Sequence, residues 1–95
     1  MKNKMVIVRT YSAGVFAGEL VAHKGQEVTL KKARRLWYWS GAASLSQLAV
    51  EGTKKPTECK FPVAMPQVVL TQAIEIIDMT PTAVKNLAEV PVWAQ

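Results

Sequence analysis

Cysteine is almost missing from this chain: Cys59 is the only one, so no internal disulfide can form and a reducing compartment is expected. Histidine is as scarce, with His23 alone beside a hairpin signal. No His, Cys, Asp or Glu cluster has the spacing of three metal ligands. Seven carboxylates are scattered singly, which gives no paired acid and base, and Cys59 and His23 sit in segments with no nucleophile motif around either. "GVFAG" lies inside the hairpin and lacks the helix a dinucleotide fingerprint needs. The expectation is a non-enzymatic protein with no metal and no cofactor.

Long apolar runs are missing too. The run near the start, "MVIV", is broken by Arg9, too short for a signal peptide, and nothing later reaches transmembrane length. A cytoplasmic protein with no membrane contact is expected. Repeats, low-complexity stretches and linkers are absent, and 95 residues make one domain over 1–95, large enough for one modest core and not for two.

What is present begins with strand signals. "MVIVRTY", residues 5–11, is β-branched and aromatic and stops at "SAG". "VFAGELVAHKGQEVTL" reads as a hairpin turning at Lys24-Gly25. Continued alternation from Val28 and Leu30 would bury Lys32 and Arg34, which costs far too much for unpaired cations, so a bulge or bend is expected at Lys32-Ala33. Beyond it Arg35, Trp37 and Trp39 should share one face and Leu36 and Tyr38 the other.

The period then changes. Ser44 with Gln47 fits a capping box, Leu45, Leu48 and Ala49 share a helical face, and Gly52 is placed to end a short helix. "TKKPTECKFPVAMP" is a loop, because three prolines within it exclude regular structure through most of its length. "QVVLTQAIEII", residues 67–77, fits both periods, and its Val and Ile content favours a strand with Val68, Leu70, Ile74 and Ile76 on one face. Thr80 as N-cap and Pro81 at the first helical position start a second short helix, Pro91 lies beyond it, and Val92 and Trp93 should tack the tail to the body. The sum is an α+β domain: a small bent antiparallel sheet or partial β-barrel of four or five strands with two short helices.

Charge is uneven. Residues 24–60 hold eight cations and three anions, and so carry the whole net charge of +5. Such a field attracts phosphate-bearing partners. Its densest part is "LKKARRLWYWSGAAS", where Arg34 and Arg35 offer guanidinium forks for phosphate and Trp37, Tyr38 and Trp39 offer faces for a base. Ser40, Gly41 and Ser44 open the first helix, whose free N–H groups would add an anion site, Gly41 letting a ligand come close. Lys54 and Lys55 could form a second wall. At least one tryptophan and Leu36 are also wanted by the core of so small a domain, and an arginine could equally stack over a ring or pair with Glu51.

Through "RTYSAGVFAGEL", "GQEVTLKKARRLWYWSGAASLSQLAVEG", "KPTECKF" and "AIEII" the chain resembles a family of short phage and prophage proteins known only as a domain of unknown function. The likeness covers most of residues 9–77, and its most specific piece is the block "ARRLWYWSGA…SLSQLA…G". The resemblance implies an accessory protein made inside an infected bacterium. Proteins of that kind are often anti-defence factors, and several of similar size hold nucleotide immune signals. The leading expectation is therefore sequestration of a small phosphorylated nucleotide, a cyclic oligonucleotide or ADP-ribose-type signal, in pockets formed between copies of the chain as a homo-oligomer. The alternative is a small β-barrel module that binds single-stranded nucleic acid or a host protein.

Overall fold

The computed structural model describes residues 3–94. Five antiparallel strands form one open sheet: β1 (Met5–Thr10), β2 (Val15–Lys24), β3 (Glu27–Arg35), β4 (Met65–Leu70) and β5 (Ala73–Asp78). Their order is β4-β3-β2-β1-β5. Two helices, α1 (Leu45–Glu51) and α2 (Pro81–Ala88), and a 3-10 turn at Pro56–Glu58 complete an α+β fold. No helix among the described residues is long and apolar enough to cross a membrane.

Residues 67–77 are two strands and not one. Only Thr71 and Gln72 separate β4 from β5, yet the two strands lie on opposite edges of the sheet. So short a link is possible only if the sheet bends until its edges converge at one corner. There the Tyr11 N–H donates to the Gln72 carbonyl and the Ala73 N–H to the Gln26 carbonyl, each at 3.0 Å. The alternation misleads here because Ile74 is an extra residue in β5, which pairs Glu75 with Arg9 but Ala73 with Thr10. Ile74 is half exposed as a result, and Ala73 takes the inward place beside Leu70. Pro66 falls inside β4, where an edge strand tolerates the missing donor.

The bulge at Lys32-Ala33 is present. Ala17 pairs with Arg34 and Glu19 with Lys31, so three steps along β3 match two along β2, and Lys32 takes a φ of 51°. Ala33 turns inward while Lys31 and Lys32 stay exposed.

The expectation of a single core needs correction. One buried cluster (Val6, Val8, Phe16, Val28, Leu30, Ala33, Leu70, Ala73) fills the concave side of the sheet. A second (Ile7, Ala17, Leu36, Leu48, Ala49, Cys59, Phe61, Leu87, Val90) lies between the other side and the helices. Bending lets one sheet be covered on both faces, which is why Val6, Ile7 and Val8 are consecutive and all fully buried. The helices start as their sequences require: the Ser44 hydroxyl accepts from the Gln47 N–H at 3.1 Å and the Thr80 hydroxyl from the Ala83 N–H at 3.1 Å. They are joined by Asn86, whose side chain accepts from the Thr53 N–H at 2.7 Å and donates to the Thr53 carbonyl at 2.9 Å.

Candidate functional site

The basic and aromatic block does not form a single hollow. The two arginines leave β3 on opposite faces. Arg35 covers the Phe16 ring at 4.7 Å on the concave side. Arg34 turns to the helical side, where Nε donates to the Pro62 carbonyl, Nη1 to Leu87, and Nη2 to both Phe61 and Pro91, at 3.0–3.2 Å. It also lies 5.4 Å from the Phe61 ring centroid. Four of its five N–H donors are therefore used in tying the 61–62 segment to the end of α2 and the tail. Burial pulls this guanidinium below its ordinary pKa. A shared phosphate clamp of Arg34 and Arg35 is not assembled within the chain.

The expected partition of faces beyond the bulge also changes. The strand ends at Arg35, and Leu36 and Trp39 both pack against the helical-side cluster. Trp37 and Tyr38 remain 63% and 51% exposed. Of the three rings in this block, these two are left free to stack on another molecule.

At the start of α1 the chain itself takes up part of the polar groups expected to meet an anion. The Ala43 N–H already donates to the Gln47 side chain at 2.8 Å, and the Ser44 hydroxyl is engaged as the cap. Gly41 does permit a close approach, but by the chain itself: with φ at 83°, a Cβ there would stand 2.5 Å from the Lys55 N and 2.8 Å from the Lys54 N. The Ser40 carbonyl accepts from the Thr53 hydroxyl, and the Lys54 N–H donates to the Gly41 carbonyl. The Cys59 thiol is buried among these groups, with Ser40, Thr53 and Lys55 as its hydrogen-bond partners and no imidazole among them. Gly41→Ala is expected to cost about 1–3 kcal/mol, because it both strains the backbone and pushes residues 53–55 away. Chemical denaturation checks it, and an unchanged midpoint would contradict the packing.

What the fold does assemble is a platform drawn from three distant segments. Tyr38 and Lys60 form an antiparallel bridge, with the Lys60 N–H 2.7 Å from the Tyr38 carbonyl, and Phe61 bridges Val92 in parallel. The Trp93 N–H donates to the Phe61 carbonyl at 3.0 Å. The small ladder brings the exposed Lys60 ammonium to 5.8 Å from the Tyr38 ring centroid and 5.6 Å from that of Trp93. Lys54 and Lys55, both exposed, lie on the loop that the Gly41 and Cys59 contacts pin beside this ladder. Lys60 and Trp93 are site residues that the sequence reading did not select. No spacing marks them, and only the tail docking that was expected of Trp93 hinted at its place.

Fold and surface together define a small bent-sheet α+β domain that presents an open aromatic and basic face. The chain belongs to the family described as Domain of unknown function (DUF6948), whose model matches residues 3–87. No curated protein and no solved structure matches it.

Proposed function

We propose that the protein is a non-enzymatic module that binds phosphorylated nucleotide units on this open face, with single-stranded nucleic acid as the ligand class the geometry suits best. The observation that supports the reading is the Lys60 ammonium held within 6 Å of the Tyr38 and Trp93 rings, with Trp37, the neighbour of Tyr38 along the chain, 63% exposed. Bases stack on exposed rings without regard to sequence, and lysines along the same face follow the phosphates. An open surface favours a strand that passes across it over a small molecule that must be enclosed.

Sequestration of a free signalling nucleotide is the second reading. It requires a second copy of the chain to close the face, and the resemblance to phage and prophage proteins supports it. In that setting the protein would act in the cytoplasm of an infected bacterium, against host immune signalling.

Salt dependence separates the two. A strand neutralised by Lys54, Lys55 and Lys60 should lose affinity with a slope of log K against log salt of about −2, from roughly 0.7 ion released per phosphate contact. Quenching of tryptophan fluorescence by an oligothymidylate across a salt series measures it. A flat salt response with tight binding of cyclic dinucleotides would favour sequestration, and no quenching by any nucleotide or oligonucleotide would overturn both.

A further inference from the structure

On the other side of Arg34 the structure contains a hollow of about 360 Å³ between the convex face of the sheet and α2. Its wall is apolar, with Leu36, Phe61, Met79, Val84, Leu87 and Val90 prominent. Lys32 and Arg34 are its only ionisable side chains, and no carboxylate lines it. Four carbonyls already occupy Arg34. Lys32 is exposed and belongs to neither of the ion pairs found among the described residues, Lys4 with Asp78 and Arg9 with Glu75.

Lys32 is also the only residue other than glycine with a positive φ among those described. The bulge holds a long cationic side chain in a backbone conformation that glycine would adopt at lower cost, and bulges re-aim the side chains they carry. Of the two cations in the wall of this largely apolar hollow, Arg34 is held by carbonyls and Lys32 is the one left without a partner among the described residues. The volume lies within the range of small-ligand pockets, which are mostly apolar with a few placed polar groups.

We propose that this hollow binds an amphipathic monoanion, a medium-chain alkyl carboxylate, with the tail against Leu36, Phe61 and Leu87 and the carboxylate on the Lys32 ammonium. The apolar wall provides affinity and Lys32 sets the sign of the head group. The hollow shares the Phe61–Val92 bridge with the aromatic face but takes none of Trp37, Tyr38, Lys60 or Trp93 into its wall, and the proposal does not depend on nucleotide binding.

Calorimetric titration of the whole chain with hexanoate, octanoate and decanoate tests it, with decyltrimethylammonium as the control of opposite charge. Affinity is expected to rise about fourfold per methylene, and the ammonium amphiphile should bind at least tenfold more weakly than decanoate. Lys32→Gly should weaken decanoate at least tenfold without lowering the thermal midpoint, since it removes the charge and relieves the backbone. Ala88→Trp, at an exposed wall position, should block the tail. Affinity independent of chain length, equal binding of the cationic amphiphile, or an unchanged decanoate affinity in Lys32→Gly would each overturn the assignment.

Discussion

Arg34→Ala should lower stability by about 3 kcal/mol, from charge-assisted hydrogen bonds of which each is worth roughly 1.5–3 kcal/mol before water repairs some of the loss. Three of the four carbonyls it serves, Phe61, Pro62 and Leu87, accept at part-buried positions, and the bond to Pro91 is exposed and replaceable by solvent. In a domain of this size the thermal midpoint should fall by about 12–24 °C. Arg34→Lys should recover less than half of that, because a single ammonium cannot span carbonyls from residues 61, 62, 87 and 91 as the planar fork does. Arg35→Ala, which uncovers one face of Phe16, should cost only about 1 kcal/mol. Thermal and urea denaturation of the three variants measure the contrast. If Arg34→Ala cost under 1 kcal/mol, the clamp would be redundant and Arg34 would be free for a ligand.

The second large effect is expected on binding and not on folding. Removing both exposed rings, Trp37→Ala with Tyr38→Ala, should weaken oligothymidylate by about 30-fold or more, since each of two stacked bases is worth roughly 1–3 kcal/mol. The fold should survive. The Tyr38–Lys60 bridge is made by backbone groups, so the double variant gives up only the exposed contact of the Lys60 ammonium with the Tyr38 ring, and both rings are more than half exposed. The double variant is read by fluorescence anisotropy of a labelled oligonucleotide, with the far-ultraviolet spectrum as the check on folding. Undiminished affinity in a folded double variant would remove the aromatic face from the proposal.

These two predictions divide a block that reads as one unit in the sequence. Arg34 and Trp37 are three residues apart, but one serves the interior and the other faces out. The phase of β3 could be followed through the bulge, because unpaired cations cannot be buried and one extra residue is the local remedy. Past Arg35 the strand ends, and alternation has no further hold on Leu36 to Trp39. Trp39 therefore packs with Leu36 where alternation set them on opposite faces. Gly41 was legible as a place of close approach, but what approaches it is the chain at residues 53–55.

Local chemistry in the sequence determined the α+β class, the β2–β3 hairpin, the Lys32-Ala33 bulge and both helix caps, because each depends on neighbours within a few positions. Tertiary structure alone decided that residues 67–77 divide between opposite edges of the sheet and that one sheet serves two cores. It also decided that Arg34 clamps four carbonyls, and that Tyr38 meets Lys60 and Trp93. The reason is that the curvature of the sheet sets which distant segments face one another, and no spacing along the chain encodes that choice. A side chain's role here follows from what lies opposite it once the edges have converged.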